Sequence, residues 1–410
     1  MATMIFRRYK FMQPVWVRIF VEMVVCVVMG IPVSGDPSKL QPTPTSWPTY
    51  RGGSQFHGVA PGTLADDYEL TWTFKTGGSV KSSPVVSQNL VFIGSDDQCL
   101  YAIDLKSGVK RWEVKTNGAI EAPPIVVGNH VYVGSFDGQL YAVEAATGTV
   151  AWKYPTEDKI IGSANWAPIE GNDAGGILVG SYDNHLYFID AVTGELYWRV
   201  ATENYVNGGA AVDQGHAYFG ACDGGVYVIS ISKGVQLTRV ELNAPIAGTI
   251  ALKGQAGYIG HYGNQFVKVD LQTQDIKWKF EDLDFPFFSS PGFWEAGSAL
   301  VFGSAARRIY CVNQENGRLI WKFNTRGKVE SSPVVCGDRM IVGSADGWIY
   351  LLSMVNGSVI WTYQIGDKLV SSPAVANSMI VIGGEDGVVY AFEPIQCISK
   401  DVRLEATNGR

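Results

Sequence analysis

The sequence is poor in the patterns that most often hold a metal or carry out catalysis. Its six cysteines include no C-x-x-C pair, and its five histidines share no spacing that would gather them around zinc. It also has no G-x-S-x-G motif and no phosphate-binding glycine loop, the marks of serine hydrolases and P-loop nucleotide enzymes. These enzyme classes therefore find no support. We expect the dispersed cysteines to be small buried apolar residues, with one unassigned disulfide as the alternative.

Positive charge is also in short supply. The chain has 32 lysines and arginines against 39 aspartates and glutamates, which gives a net charge of −7. Removal of residues 1–35 would delete four basic residues and one acidic residue and bring the net charge to −10. Because a nucleic-acid backbone requires a basic face, we expect no nucleic-acid partner.

No apolar run in the sequence is long enough to span a membrane comfortably. The most apolar stretch of the N-terminal region, residues 23–33, is short, follows four basic residues and ends in small residues. This order is typical of a secretory signal with a cleavage site. We therefore predict an exported protein of the periplasm, the cell envelope or the extracellular space. An uncleaved N-terminal anchor is the alternative, and that anchor or a partner would be the link to a membrane.

What the sequence has in abundance is one unit, repeated eight times at a spacing near forty residues. In the first copy, short apolar runs at 83–86, 90–95 and 100–104 are followed by Ser107-Gly108 and by Trp112. Such runs, rich in valine, isoleucine and tyrosine and separated by glycine and aspartate, indicate strands and hairpins. Between the second and third strands most copies carry Asp-Gly or Asp-Asn, which suits the positive φ of a two-residue hairpin. Calcium binding by these aspartates is the alternative.

A tryptophan closes nearly every unit and predicts how neighbouring units pack. Each large indole can lie on a glycine of the next unit, where no side chain takes up the space. The tryptophans at this position are Trp72, Trp112, Trp152, Trp198, Trp278, Trp321 and Trp361. In the fourth unit Thr238 takes this place.

These features predict an all-β protein, an eight-bladed β-propeller of four-stranded antiparallel blades. The last unit ends before a fourth strand, whereas residues 70–74 form an extra strand ahead of the first unit. We therefore expect the N-terminal strand to complete the last blade and close the ring, which removes exposed sheet edges. The predicted domains are a signal peptide or anchor (1–35), an extended lead-in arm (36–68), the propeller (69–396) and a C-terminal tail (397–410).

The run A-x-D-x-x-S-G-x-x-x-W at residues 102–112 resembles the tryptophan-docking signature of pyrroloquinoline-quinone (PQQ) repeats. The resemblance covers roughly residues 69–396, and the lead-in WPTYRG at 47–52 resembles the opening of many secreted PQQ-like propellers. It implies a fold that three kinds of protein share. The first kind is the quinoprotein dehydrogenases, which hold PQQ and usually calcium on the axis. The second is the outer-membrane assembly propeller BamB, which is a docking platform without quinone. The third is the secreted PQQ-like binding modules.

We interpret the chain as a scaffold that binds a partner protein or a polar ligand and performs no chemistry. The quinoprotein dehydrogenases have an adjacent cysteine pair that packs on the cofactor, and this pair has no counterpart here. The units are also too lean to supply a catalytic base and metal ligands from inserted loops. We therefore expect no cofactor, a partner in the cell envelope and a monomeric chain. The alternative is a PQQ- and calcium-dependent dehydrogenase of alcohols or sugars.

The axial end of the ring is the predicted ligand site, because first strands line it and loops converge there. The residues at this position of the repeat are Lys81, Glu121, Gly162, Asn207, Ala247, Phe288, Glu330 and Val370. Lys81 and Glu121, on neighbouring blades, could orient a polar ligand or deprotonate it. The alternative is a water-filled pore with solvated charges.

Two inserted loops supply further candidates. The third unit contributes Asn165 and Trp166, and the sixth contributes Trp294 beside Phe285 and Phe288. The sixth-unit aromatic residues could form a platform for a sugar or a peptide, or could pack in the core. The pair at 307–308, two arginines that replace the usual turn of the sixth unit, forms either a local basic contact or a solvated turn.

Overall fold

The structure is a computed structural model that describes residues 40–395. The predicted signal segment, the first residues of the arm and the C-terminal tail at 397–410 lie outside the described residues. Within residues 40–395, 32 β-strands form eight four-stranded sheets, and helical structure is limited to short 3-10 turns such as Glu295–Gly297. No helix in this range has the length and apolar character needed to cross a membrane.

The eight antiparallel sheets are the blades of a propeller, which confirms the predicted fold class. First strands of successive blades contact one another around the axis. These innermost strands are β2 (Val85–Ser87), β6 (Ile125–Val127), β10 (Asn165–Ile169), β14 (Ala211–Asp213), β18 (Ala251–Lys253), β22 (Gly292–Trp294), β26 (Val334–Cys336) and β30 (Ala374–Ala376). The second strands are β3 (Leu90–Gly94), β7 (His130–Gly134), β11 (Asn172–Gly180), β15 (His216–Gly220), β19 (Ala256–His261), β23 (Ala299–Ser304), β27 (Arg339–Gly343) and β31 (Met379–Gly383).

The outer half of each blade consists of its third and fourth strands. The third strands are β4 (Cys99–Asp104), β8 (Gln139–Glu144), β12 (His185–Asp190), β16 (Gly225–Ser230), β20 (Gln265–Asp270), β24 (Arg308–Asn313), β28 (Trp348–Ser353) and β32 (Val388–Pro394). The fourth strands are β5 (Lys110–Lys115), β9 (Val150–Pro155), β13 (Leu196–Ala201), β17 (Val235–Glu241), β21 (Ile276–Phe280), β25 (Leu319–Asn324), β29 (Val359–Gln364) and, in the eighth blade, β1 (Tyr68–Lys75).

Burial follows the position of a strand in its blade. The second and third strands pack between neighbouring blades, so β3 and β4 are almost entirely buried and have continuous apolar sequences. The fourth strands face solvent on one side, so in β5 Trp112 and Val114 are buried while Glu113 between them is exposed. The core is therefore a series of apolar layers between blades.

The ring closes as the sequence predicts. Strand β1 pairs antiparallel with β32, and Trp72 lies opposite Ala391 in this pairing. The eighth blade therefore combines the two ends of the propeller sequence, and the ring closes without an incomplete blade.

The hairpins between the second and third strands have the expected geometry. Their second residue has a positive φ in all eight blades, from +60° at Asn264 to +88° at Gly224. The aspartate before it is held by contacts that the sequence did not reveal. In the second blade, Asp137 accepts hydrogen bonds from the backbone N–H of Gln139 (3.0 Å) and from the hydroxyl of Tyr141 (2.6 Å). The same aspartate–tyrosine contact recurs in five other blades, so these carboxylates serve as turn residues.

Tryptophans join most blades to the next, whereas the fourth blade has Thr238 at this position. Trp112 lies on Gly148, where a Cβ would come within 2.8 Å of the indole, and its Nε1 donates to the carbonyl of Ala145 (2.9 Å). The same arrangement joins Trp72 with Gly108, Trp152 with Gly194, Trp198 with Gly234, Trp278 with Gly317 and Trp321 with Gly357. Trp361 differs, because among the described residues it lies on no glycine of the next blade. Its ring packs against Tyr68 of the closing strand, with ring centroids 5.6 Å apart.

Candidate functional site

The lead-in arm lies inside the ring rather than across its surface. Between residues 44 and 60 it forms hydrogen bonds with the first strands, or with the turns that follow them, in all eight blades. Trp47, Arg51 and Phe56 of the arm are at most 1% exposed. The arm therefore fills the channel that an open ring would leave along its axis.

Arg51 gives the arm an unusual buried charge. Its Nη2 donates to the carbonyl of Pro291 (2.6 Å), while Nε and Nη1 have no hydrogen-bond partner among the described residues. Burial lowers the pKa of Arg51 to about 10, so the guanidinium stays charged at neutral pH. A buried charge without a counter-ion is costly, and the contacts of the arm with the blades must offset that cost.

A small cavity lies at the axial end where the loops before the first strands converge. Its volume is about 170 Å³. Seven of the eight predicted ring residues line it: Lys81, Gly162, Asn207, Ala247, Phe288, Glu330 and Val370. Tyr50 of the arm also lines it, and the Tyr50 hydroxyl lies 3.1 Å from Oγ of Ser332. The predicted ring residues thus meet in one place, in a cavity backed by the arm rather than in an open pore.

The charges of this axial cavity are centred on Lys81. Its Nζ lies 2.7 Å from Oε1 of Glu121 and 3.0 Å from Oδ2 of Asp96. Burial lowers the pKa of Lys81, but hydrogen bonds to these two carboxylates outweigh burial and raise the pKa above its usual value. A lysine held in this way stays protonated at neutral pH and cannot take a proton from a ligand. Glu121, the eighth ring residue, contacts Lys81 and does not itself line the cavity.

Two polar atoms at the axial cavity lack a hydrogen-bond partner among the described residues, Oδ1 of Asn207 and Oγ of Ser163. Buried polar atoms are normally satisfied by protein or by water. A water molecule occupies about 30 Å³ of liquid, so the cavity has room for a few waters or one small polar molecule. Across residues 40–395 no group of three or more His, Cys, Asp or Glu side chains could hold a metal ion.

Asn165 and Trp166 lie away from the cavity and do not reach solvent. The amide of Asn165 donates to the carbonyls of Ser54 (2.9 Å) and Ala210 (2.8 Å), so it ties the arm to two blades. Trp166 is 1% exposed, and its Nε1 donates to the carbonyl of Ala174 (2.8 Å). Both side chains are engaged in core contacts, which removes them from the candidate ligand site.

The three aromatic candidates of the sixth unit do not form a common platform. Phe285 is exposed at the rim, and Phe288 lines the axial cavity and packs against Tyr262 with ring centroids 4.8 Å apart. Trp294 lies at the other end of the first strand, on a separate cavity beside Val59 and Asp338. The structure corrects the idea of one aromatic surface, because the strand between Phe288 and Trp294 holds them at opposite ends.

A larger cavity adjoins the axial one, and its convergence of charge was not foreseen from the sequence. It has a volume of about 710 Å³ and shares Glu330 and Val370 with the axial cavity. Four cationic side chains from successive loops line it, Arg307, Arg326, Lys328 and Lys368. We call it the cationic groove. Its one sequence signal was the arginine pair at 307–308, of which Arg308 instead pairs with Asp282 (2.5 Å).

Comparison with known proteins identifies the relatives of this ring. The model of a protein family described as outer membrane protein assembly factor BamB matches residues 63–168, 182–292 and 305–397. The chain belongs to this PQQ-like β-propeller family. No curated protein is a significant match to the chain.

Solved structures similar to this family member include assembly proteins and dehydrogenases. BamB from Moraxella catarrhalis is 17% identical over 80% of this chain and 100% of that chain, with a TM-score of 0.67. A europium-containing methanol dehydrogenase is 12% identical over 87% of this chain and 99% of that chain, with a TM-score of 0.75. The quinohemoprotein alcohol dehydrogenase from Comamonas testosteroni is 13% identical over 87% of this chain and 82% of that chain, with a TM-score of 0.76. At these identities the likeness shows the common fold alone.

Proposed function

We propose that this protein is a non-catalytic binding scaffold, exported to the cell envelope, that binds a partner protein or a polar ligand. The observation that carries the proposal is the axis itself, which the protein's own arm fills, leaving a cavity of about 170 Å³. Pockets for small organic ligands usually have volumes of about 300–1,000 Å³. A tricyclic quinone with a calcium ion, which the resemblance to quinoprotein dehydrogenases would place on the axis, does not fit this cavity.

The polar groups of the axial cavity also suit binding better than oxidation. Oxidation of an alcohol needs a base that accepts the substrate proton, whereas Lys81 is held in its protonated form by Asp96 and Glu121. Calcium takes about six to eight oxygen ligands, several of them carboxylates. Glu330 is the single carboxylate among the lining residues. The cavity therefore favours the binding of a small neutral or polar group over redox chemistry.

A thermal-shift measurement with PQQ and Ca²⁺ tests this proposal, together with a dye-linked assay for oxidation of alcohols and sugars. A ligand specific for the native state raises the melting temperature by mass action. We expect no saturable shift and no dye reduction. The matched control is the Lys81→Ala/Glu121→Ala double variant. A saturable shift in the wild type that this variant loses, or substrate-dependent dye reduction, would overturn the non-catalytic assignment.

The family description supports a partner protein in the envelope, because it names an outer membrane assembly factor. A rigid closed ring whose loops converge at one face is a suitable frame for such a partner. Cell fractionation with N-terminal sequencing of the mature chain tests the location. A protein in the envelope or periplasmic fraction that starts near residue 36 supports export, whereas a full-length chain in the cytosol contradicts it.

A further inference from the structure

The cationic groove stands out on a chain whose overall charge is negative. The whole sequence carries −7, yet four cations and two carboxylates, Glu330 and Glu385, line this groove. Of these four cations, Lys368 alone has a carboxylate partner among residues 40–395, Glu385 at 3.7 Å. Within the described residues, Arg307, Arg326 and Lys328 form no ion pair within 4.0 Å and are exposed. Three positive charges therefore face the groove without internal neutralisation.

Departures from the repeat create the groove. The residue immediately before the two-residue turn between the second and third strands is bulky or charged in most blades, for example Phe136 in the second and Tyr182 in the third, but it is Ala305 in the sixth and Ala345 in the seventh. Because both alanines line the groove, the missing side chains give it depth. The groove thus lies where two successive units lack the bulk that most other units carry at this position.

A second departure places Arg307 at the groove. The turn aspartate of the sixth unit is replaced by Ala306, and the tyrosine of that blade, Tyr310, donates instead to Asp282 (2.9 Å) from a different loop. The second turn residue of this hairpin is Arg307, whose φ of +61° is unfavourable for a residue with a long side chain. A cation kept at a strained turn position, with the structural aspartate relocated, points to a role in binding.

We propose that the cationic groove binds an extended acidic segment of a partner protein, an inference that rests on the scaffold function proposed above. The cations come from loops of three successive blades and are interspersed with Glu330 and Glu385. This spacing matches separate carboxylates along a peptide and disfavours a compact polyanion, which the two glutamates would repel. Phe285, which lines the groove and is 47% exposed, provides an apolar contact for a neighbouring side chain of the peptide. The volume of about 710 Å³ suits several peptide side chains.

The test is selection of a phage-displayed library of random nine-residue peptides on the full mature chain. We expect the selected peptides to be enriched in aspartate and glutamate relative to the library. A selected peptide, labelled with a fluorophore, is then titrated by anisotropy at low and high salt. Its affinity should fall as salt rises, since the contacting charges are exposed, and its matched peptide with amides in place of the carboxylates should not bind.

The Arg326→Gln/Lys328→Gln variant should bind the selected peptide with roughly tenfold lower affinity, since two exposed charge contacts are lost. The matched control is Lys115→Gln/Arg318→Gln, which removes the same two charges from exposed positions outside the groove, and it should leave the affinity unchanged. Selection without acidic enrichment, or equal weakening by both variants, would overturn the proposal. Neither result depends on PQQ, so this inference and the scaffold assignment can fail separately.

Discussion

Substitution of Gly148 by alanine should destabilise the ring far more than its backbone conformation alone predicts. The glycine has a φ of +77°, and an added Cβ would lie 2.8 Å from the indole of Trp112. That indole cannot move aside easily, because its Nε1 is bonded to the carbonyl of Ala145 at 2.9 Å. Gly171 provides the matched control, with a φ of +78° and no atom within 4 Å of its added Cβ.

The two variants separate the cost of the backbone from the cost of the clash. A left-handed conformation costs a residue with a Cβ about 1–2 kcal/mol, and Gly171→Ala should lose that much free energy of unfolding. Overpacking adds about 1–3 kcal/mol, so Gly148→Ala should lose about 2–5 kcal/mol. The difference between these two losses of free energy of unfolding measures how closely Trp112 of the first blade packs on Gly148 of the second.

Equilibrium urea unfolding, followed by far-ultraviolet circular dichroism, measures both variants. The double variant Trp112→Ala/Gly148→Ala completes the test, because removal of the indole should cancel the clash and make the two changes strongly non-additive. Equal losses for Gly148→Ala and Gly171→Ala, or simple additivity in the double variant, would refute the idea that tryptophan on glycine holds neighbouring blades together.

Three further predictions address the buried polar groups and the arm. His261 is 1% exposed, and burial lowers its pKa to about 4. The usual pKa of histidine is about 6.5. The contribution of His261 to stability should therefore be present above pH 6.5 and be lost as the pH falls toward 4. His261→Asn should flatten the dependence of urea midpoint on pH in that window, and an unchanged slope would contradict this. Burial and the hydrogen bond to Asp137 raise the pKa of Tyr141, so its contribution should be lost as the pH rises above about 10. Tyr141→Phe should lower the free energy of unfolding by about 1 kcal/mol at neutral pH and reduce the alkaline loss measured by the same titration. Trp47 is 1% exposed and pairs with Val86 through two backbone hydrogen bonds of 2.7 and 2.8 Å. Trp47→Ala should lower the free energy of unfolding by about 3–5 kcal/mol. The control Leu70→Ala, at a site 37% exposed, should lower it much less in the same unfolding experiment.

Much of the candidate site could be located from the sequence, but its character could not. The repeat gives each residue before a first strand the same position, so Lys81, Asn207 and Glu330 were expected at one end of the axis, and the structure places them there. Burial of Trp166 was not foreseen, because the extra residues of the third unit suggest an inserted loop at this point, whereas Trp166 lies in the first strand, β10. The aromatic residues of the sixth unit were ambiguous for the same reason.

The number of blades, the order of strands and the closing pair of β1 and β32 were determined by the sequence itself. Each follows from a local periodicity that is repeated eight times, so the strands of a copy that departs from the pattern can be assigned by comparison with the other copies. Only the tertiary structure decided that the arm fills the axis, that Asp282 replaces a missing turn residue and that cations of three blades face one groove. These features depend on contacts between residues far apart in the chain, such as Tyr50 with Ser332, and no local pattern of residue types encodes which distant groups will meet.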